Sequence, residues 1–204
     1  NEIWYTSTDG TIVEPYDTSV FGANIVSNTY KYGKGVITFD GDVTSIGDYA
    51  FRQCVSLASI NIPESVTSIG EYAFRRCVSL ASINIPESVT SIGEWAFYWC
   101  ESLTSITIPD SVTSIGADAF YNCTGLTSVH ITDLNAWCAI DFTNYRANPI
   151  YYAQNLYLNN NLVTDLVIPN NLTAIKNYGF VNCTSLKRVI IPEGVISIGS
   201  GVFD

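Results

Sequence analysis

The sequence predicts a repeat solenoid of the α/β type, and three observations lead to it. Three stretches are almost identical: VTSIGDYAFRQCVSLASINIP, VTSIGEYAFRRCVSLASINIP and VTSIGEWAFYWCESLTSITIP. Their first residues and that of the next copy, Val43, Val66, Val89 and Val112, are each 23 residues apart. Aligned on this period, the apolar residues fall into columns. The columns are Ile46, Ile69, Ile92 and Ile115; Phe51, Phe74, Phe97 and Phe120; and Leu57, Leu80, Leu103 and Leu126.

Within one repeat, the residues predict two short strands and a helical turn. The LxxIxI segment alternates apolar and polar residues, which is typical of a strand with one buried face. Pro63, Pro86 and Pro109 end these strands because proline lacks the N–H donor. The VTSI segment predicts a second short strand, and GEYAFRRC predicts one or two helical turns. Because no single repeat can bury its apolar face, we expect the repeats to stack in parallel, about 4.8 Å apart.

The repeat pattern CxxLxxIxIPxxVxxIGxxAFxx resembles the BspA-like (treponemal-type) leucine-rich repeat. That repeat occurs in surface proteins of anaerobic and mucosa-associated bacteria and of some protozoan parasites. The resemblance extends from about Val43 to Phe203. It implies a curved solenoid with a parallel β-sheet on its concave face, and adhesion or partner binding as the function. It also implies an extracellular or cell-surface location.

Composition narrows the classes of function. The chain has 204 residues and a net charge of −10, which argues against nucleic-acid binding because phosphate contacts need clustered Lys and Arg. No apolar run approaches the roughly 20 residues of a membrane span. The chain begins at Asn1 without a signal-peptide pattern and contains no Met, so we expect any signal peptide to have been removed already.

Residues 1–42 do not keep the period, and we interpret them as a β-rich N-terminal cap. EIWYTSTDGTIVEPY has two β-rich runs around Asp9-Gly10, a dipeptide that favours a hairpin turn. IVSNTYKYGKGVITFDG predicts a second pair of strands around Gly33 to Gly35. A cap would cover the core and sheet edge that the first repeat exposes. The alternative is an independent ligand-binding domain, which we disfavour because about 40 residues make a thin core.

We assign residues 43–204 to the solenoid, beginning with four regular repeats over 43–131. Residues 132–169 form an irregular long repeat, in which Asp133 is a predicted N-cap of a short helix burying Leu134, Trp137 and Ile140. NLYLNNNLVTDLVI then predicts a hairpin with its turn at Asn159 to Asn161. The repeats resume over 170–204 and stop in mid-repeat, which favours a fragment or a short terminal domain.

Five of the six cysteines occupy one repeat column: Cys54, Cys77, Cys100, Cys123 and Cys183. Parallel stacking keeps their Cβ atoms further apart than a disulfide prefers, so we expect free, buried thiols acting as weak donors. Without a CxxC or CxxH spacing, the sequence predicts no metal site, and no cofactor is expected. Two columns of acidic residues could hold calcium, but the preferred interpretation is that acids at helix starts favour the helix dipole and that the loops are solvated. These acids are Glu64, Glu87 and Asp110, and Asp48, Glu71 and Glu94.

Two surfaces are candidates for binding. The first follows the Ala-Phe pair, where the same two columns change from basic to aromatic along the stack. Its residues are Arg75, Arg76, Tyr98, Trp99 and Tyr121, which we expect to form one patch, because Arg, Tyr and Trp are enriched in binding hot spots. The competing interpretation is that Tyr98 or Trp99 packs into the repeat interface.

The second candidate is a polar stripe on the outward side of the strands. It contains Asn61, Asn84, Thr107 and His130, and could bind a peptide or glycan or be an ordinary solvated sheet face. The lone histidine, His130, has no nucleophile motif or acid pair nearby, so we interpret it as a surface residue and assign no catalytic residue.

The sequence thus favours a non-catalytic module that binds a host or microbial surface protein or a glycan. Two alternatives are a structural spacer that projects another domain and, less favoured, a hydrolytic enzyme. An enzyme would need convergent acids or a triad in a pocket, which the sequence does not indicate.

Overall fold

The computed structural model describes residues 1–204 and forms a β-solenoid of about 7 turns, which confirms the predicted fold class. In chain order, the strands are β1 (Glu2–Ser7), β2 (Ile25–Lys31), β3 (Lys34–Phe39), β4 (Ser45–Ile46), β5 (Leu57–Asn61), β6 (Ser68–Ile69), β7 (Ser82–Asn84), β8 (Ser91–Ile92), β9 (Ser105–Thr107), β10 (Ser114–Ile115), β11 (Ser128–Ile131), β12 (Asp141–Phe142), β13 (Leu156–Leu158), β14 (Asn161–Leu162), β15 (Asp165–Val167), β16 (Ala174–Ile175), β17 (Arg188–Ile190) and β18 (Ser197–Ile198). Helix α1 (Leu134–Ala139) precedes β12, and helix α2 (Ile150–Ala153) follows it. Neither helix has the length and hydrophobicity needed to cross a bilayer.

The longer strands form one side of the solenoid, which we call the long-strand sheet. Strands β5 and β7 pair in parallel, and so do β9 and β11, with residues 23 positions apart facing each other, such as Asn61 with Asn84. Strands β7 and β9 are neighbours but belong to different sheets, and Thr104 donates to Ala81 O through its N–H at 3.4 Å and its hydroxyl at 3.5 Å. The predicted LxxIxI strands and their parallel stacking are therefore confirmed.

The two-residue strands form the second side. Strands β4, β6, β8, β10 and β12 pair in parallel in one sheet, and β16 pairs with β18. Ile46 faces Ile69, and Ile69 faces Ile92, as the column alignment predicts. The predicted VTSI strands are confirmed.

The segment that joins the two sides differs from its prediction, because GEYAFRRC and its equivalents form consecutive turns and no helix. Positive φ angles recur at two positions of each such segment. They occur at Tyr49, Gln53, Tyr72, Arg76, Trp95, Trp99, Asp118, Asn122, Tyr178 and Asn182. Alternate N–H groups then donate to carbonyls of the next repeat, as Phe51 N does to Ala73 O at 2.7 Å. A helix would keep these donors within its own repeat and forfeit this ladder.

The side chains inside the solenoid form one apolar cluster of 51 buried residues. The phenylalanine column stacks ring on ring, with centroid distances of 5.5 Å from Phe51 to Phe74, 5.4 Å from Phe74 to Phe97 and 5.1 Å from Phe97 to Phe120. The leucine and isoleucine columns are buried beside it. The columns seen in the sequence are thus the core of the protein.

The N-terminal segment confirms one predicted hairpin and contradicts the other. Strands β2 and β3 pair antiparallel around Tyr32 and Gly33, which both have positive φ. The hairpin predicted around Asp9-Gly10 is wrong, because no strand begins directly after Gly10 and the next strand in the chain starts at Ile25. Instead, β1 lies antiparallel between β3 and β5. The stretch after Gly10 donates to the first repeat, with Tyr16 N bonding to Ala50 O at 2.8 Å. These contacts are consistent with the cap interpretation of residues 1–42, which stays a prediction.

The irregular unit carries the predicted short helix. Asp133 caps α1 by accepting a hydrogen bond from Asn135 N at 2.7 Å. Trp137 and Ile140 are buried as predicted, whereas Leu134 is only half-buried because it lies in the first turn of the helix, at the edge of the core. Helix α2 has no counterpart in the prediction. Buried Asn148 caps the Ile150 N–H and donates to Tyr178 O at 2.8 Å, which ties this unit to the repeat that follows.

The hairpin in this unit is shorter than predicted. Strands β13 and β14 pair antiparallel around Asn159 and Asn160, whose positive φ angles confirm the asparagine turn. The predicted second strand does not continue beyond Leu162. Residues Asp165–Val167 instead pair in parallel with β17, 23 residues further on, because this pairing restores the regular repeat.

The cysteine column consists of free thiols, as predicted. Cys77, Cys100 and Cys123 donate through Sγ to carbonyls of the preceding repeat at 3.0, 3.2 and 3.1 Å. Cys54 donates to Glu14 O at 3.2 Å. Burial raises the pKa of the Cys54 thiol to about 12, with the nearby Glu14 adding to it, and raises the pKa values of Cys77 and Cys100 well above their ordinary value.

We therefore expect the four buried cysteines of the column, Cys54, Cys77, Cys100 and Cys123, to resist alkylation and disulfide exchange in the folded protein. With a pKa of about 12, roughly one Cys54 thiol in ten thousand is ionised at about pH 8, and the thiolate is the reactive form. Titration with a chromogenic disulfide reagent should show only Cys183, which is half-buried, reacting within minutes. In urea all six cysteines should react at the rate of free thiols. Rapid native labelling of Cys100 would contradict this expectation.

Candidate functional site

The turn segments bring the first set of predicted residues together. In each of the four regular repeats the Phe side chain enters the core, and the two residues after it are half-buried or exposed at the surface. Backbone bonds hold successive turns in contact, with Arg76 N donating to Tyr98 O at 2.7 Å and Trp99 N to Tyr121 O at 2.8 Å. We call the exposed and half-buried residues of this face the Arg–aromatic surface. It comprises Tyr49, Arg52, Tyr72, Arg75, Arg76, Trp95, Tyr98, Trp99, Tyr121 and Arg146.

The rings and guanidinium groups of this surface stack in order along the solenoid. The Arg75 Cζ lies 5.4 Å from the ring centroids of both Tyr72 and Tyr98. The Arg76 Cζ lies 5.0 Å from the Trp99 ring. Tyr98 stacks on Tyr121 at 5.1 Å. The predicted adjacency of these five residues is confirmed, and their role in binding stays a prediction.

Several members of the surface were not predicted. Tyr49, Tyr72 and Trp95 form a stacked row with centroid distances of 4.9 Å between neighbours. This row could have been found, because an aromatic residue stands two positions before Phe in three successive repeats. Arg146, whose Cζ lies 4.7 Å from the Tyr121 ring, gave no such signal because it lies in the irregular unit.

The charges of this surface are largely unneutralised. Four of the nine Lys and Arg residues of the chain lie here. The one ion pair in the protein joins Arg146 to Asp118 at 3.8 Å. Arg52 donates to the Tyr16 hydroxyl at 3.3 Å, but no carboxylate pairs with Arg52, Arg75 or Arg76. A positive patch thus lies on a protein whose net charge is −10.

A groove of about 480 Å³ runs beside this patch. It is lined by Gln53, Val55, Arg76, Val78 and Trp99. The Nε atom of Arg76 and the indole Nε1 of Trp99 are buried and have no hydrogen-bond partner. Both Tyr98 and Trp99 are half-buried, so each contributes to the repeat interface and to the surface. The groove combines apolar walls with a cationic rim.

The second predicted set lies in register on the outward side of the long-strand sheet. Asn61 faces Asn84 and Thr107 faces His130 across neighbouring strands. Asn84 Nδ2 donates to Asn61 Oδ1 at 3.3 Å, and Asn61, Asn84 and Thr107 are exposed. The predicted outward orientation is confirmed. We call these four residues the polar row; their role in binding stays a prediction.

His130 is half-buried at one end of the polar row. Its Nε2 lies 3.1 Å from the Ser128 hydroxyl, and its ring stacks on Tyr157 at 4.9 Å. Tyr157 was not predicted, because the irregular unit hides its register with His130. At the other end of the row, Trp4 faces Asn61 across β1 and β5 and is 46% exposed.

Two of the six acids in the acidic columns accept hydrogen bonds from the protein's own donors. Asp48 Oδ1 accepts a hydrogen bond from Glu71 N at 2.8 Å. Asp110 accepts from the Thr132 hydroxyl at 2.7 Å and from Asp133 N at 3.1 Å. No group of three or more His, Cys, Asp or Glu residues is arranged to hold a metal ion.

Comparisons with known proteins agree with this architecture. The family model of the BspA type leucine rich repeat region matches residues 24–145 and 151–204, with six copies. The chain is similar to the leucine-rich repeat protein TpLRR of T. pallidum, with 30% identity, covering 80% of this chain and 70% of that one, and a TM-score of 0.55. A leucine-rich repeat protein of Bacteroides capillosus is 32% identical, with 64% of this chain and 93% of that one covered and a TM-score of 0.43. Comparison with curated proteins gives no significant match.

The family match covers more than the regular repeats. It begins at residue 24, so it includes the β2–β3 hairpin that we interpreted as part of the cap. It also continues after residue 150 through the resumed repeats, which confirms the resemblance drawn from the 23-residue motif. The chain belongs to the BspA-type leucine-rich repeat family.

Proposed function

We propose that this chain is a non-catalytic, protein-binding module of a secreted or cell-surface bacterial protein, and that it recognises its partner through the Arg–aromatic surface. One observation carries the proposal: Arg52, Arg75 and Arg76 have no carboxylate partner, although the chain holds 19 acidic residues. They lie instead against Tyr and Trp rings, the combination enriched in binding hot spots. The surface crosses several repeats, so it offers the extended contact area that a protein partner needs.

The location is part of the same proposal. The repeat motif resembles that of bacterial surface proteins, and a family of protein-binding surface modules supports an exposed position. The partner would then be a host or microbial surface protein, with a surface glycan as the alternative. An absence of catalysis is supported by the environment of His130, which contacts Ser128 and Tyr157 and no acid.

A charge reversal tests the proposal directly. The protein is first screened against extracellular-matrix proteins and a glycan array, and the strongest hit is measured with the double variant Arg75→Glu/Arg76→Glu. We expect the affinity to fall at least about ten-fold, because a partner carboxylate loses its donor and meets a like charge. The control Lys187→Glu/Arg188→Glu changes the net charge by the same amount on an exposed strand and should bind normally.

The Tyr98→Ala/Trp99→Ala variant separates the aromatic contribution from the charge. A hit that survives both double variants would move recognition away from the Arg–aromatic surface. Thermal unfolding of each variant, followed by circular dichroism, shows whether a loss of binding reflects a loss of folding.

The polar row is a second candidate for recognition, favoured by the exposed amides of Asn61 and Asn84 and by the aromatic pair His130–Tyr157 at its end. Replacing both amides by alanine should abolish a hit that the arginine variant retains. If the screen yields no partner, the structural spacer becomes the favoured function, because a spacer needs no recognition surface.

A further inference from the structure

We infer that the groove beside Arg76 takes an acidic peptide segment of a partner protein, with an apolar side chain of that segment between Val55 and Val78 and a carboxylate on the Arg76 guanidinium. This inference rests on the proposed function and names the chemistry of its ligand. Three properties of the surface lead to it.

The first property is the kind of group that the surface presents. Tyr98 has Arg75 over one face and Tyr121 over the other, and Trp99 has Arg76 over its ring. With both faces of Tyr98 and one face of Trp99 covered, a ligand meets mainly ring edges, phenolic hydroxyls and guanidinium N–H groups. Ring edges are electropositive, and the other groups donate hydrogen bonds. The complementary ligand is therefore anionic and rich in acceptors.

The second property is the state of the guanidinium groups. A guanidinium stacked on a ring keeps its in-plane N–H donors free for a bidentate carboxylate. No carboxylate of the chain takes this position at Arg75 or Arg76. The buried Trp99 Nε1 lies beneath Arg76 without a partner. A carboxylate can therefore bond to the stacked Arg76 without displacing an ion pair within the chain.

The third property separates a peptide from an anionic glycan. Val55 is 56% exposed, and it lines the groove together with Val78 and Trp99. An aliphatic or aromatic side chain gains free energy by covering this apolar wall. A sulfated or uronic polysaccharide carries charge but no comparable apolar group. The combination of apolar wall and cationic rim therefore favours a peptide in which acidic and apolar residues alternate.

Fluorescence anisotropy with a labelled peptide of alternating glutamate and leucine tests this inference. The wild-type protein should bind this peptide at least about ten-fold more tightly than a glutamate–serine or a glutamine–leucine peptide of the same length. Arg76→Gln and Val55→Ser/Val78→Ser should each weaken binding by about ten-fold. The matched controls are Arg188→Gln and Val167→Ser. Val167 is 55% exposed, like Val55, but it does not line the groove.

Several outcomes would overturn the inference. Equal binding of the glutamate–serine peptide or of heparin would indicate a surface that binds any polyanion. No binding of the glutamate–leucine peptide at millimolar concentration would indicate that the groove does not bind acidic peptides. A wild-type dimer that Arg76→Gln disperses would assign the groove to a second copy of this chain. A screened partner that Arg75→Glu/Arg76→Glu releases but the glutamate–leucine peptide cannot displace would leave the proposed function intact and overturn only its ligand chemistry.

Discussion

Phe97→Ala should lower the free energy of unfolding by about 3–5 kcal/mol, one of the two largest effects expected of a single substitution in this protein. The Phe97 ring is fully buried and stacks on both neighbours of its column, at 5.4 Å from Phe74 and 5.1 Å from Phe120. Its removal leaves a cavity and two ring faces without a partner. Because each repeat contacts only its neighbours, no other part of the chain can compensate. Urea denaturation followed by circular dichroism measures the change.

Phe203→Ala is the matched control, because Phe203 stands in the same column with one stacked neighbour, Phe180 at 5.7 Å, and is 41% exposed. We expect it to cost about 1–2 kcal/mol, less than Phe97→Ala, since 41% of Phe203 stays exposed to water and only one ring stacks on it. If the two substitutions lowered the free energy of unfolding equally, the loss of stability would depend on the position in the column and not on burial between two repeats.

The two sheets could be predicted from the sequence because residues that recur at a fixed period stack on each other. A single segment, taken alone, does not show which residues it contacts. Ile46, Ile69 and Ile92 recur every 23 residues, and a parallel stack is the structure that places such residues side by side. The turn beside Phe74 was predicted wrongly for a related reason. Its composition suits a helix, but its N–H groups gain partners in the next repeat, and this choice depends on the stacking and not on local propensity.

The candidate site was predicted only where the period is intact. The adjacency of Arg75 and Tyr98 follows from their shared column, and the structure places them 5.4 Å apart. Arg146 and Tyr157 lie in the irregular unit, where no column can be assigned, although each contacts a predicted residue. Asp9-Gly10 shows the other limit: a strong local turn signal does not decide which strand β1 pairs with, and β1 pairs with β5.

Gly93→Ala should destabilise the protein by about 3 kcal/mol, at the upper end of the range for an overpacked core. A Cβ at Gly93 would lie 2.6 Å from Gly70 C and 2.7 Å from Glu71 N, which are backbone atoms of the preceding repeat and cannot rotate away. The stack is tight there because Gly93 N bonds to Ile69 O at 2.8 Å. The repeats would have to separate at this point, which weakens the backbone ladder on both sides.

Gly93 belongs to a column of glycines, with Gly47, Gly70 and Gly116, and the exceptions to this column support the expected effect. Thr143 in the irregular unit and Lys176 in the repeat stacked on it take the place of glycine, and the equivalent bonds are longer, at 3.2 Å from Thr143 N to Ile115 O and 3.5 Å from Lys176 N to Cys138 O. A side chain is accepted only where the repeats are further apart. Glycine in the regular repeats is therefore required by close approach of the backbones and not by a positive φ.

Gly179→Ala provides the opposite expectation at a second buried glycine. Gly179 occupies the column of Ala73 and Ala96, and an added Cβ would meet its nearest neighbour, Lys176 O, at an ordinary 3.5 Å. The substitution should be neutral or stabilise by about 0.4–1 kcal/mol, because alanine restricts the unfolded chain. Urea midpoints of the two variants decide the matter. Two results would contradict this expectation: a wild-type urea midpoint for Gly93→Ala, or a midpoint for Gly179→Ala that is lowered as much as that of Gly93→Ala. Either result would show that contact between successive backbones does not set the spacing of this solenoid.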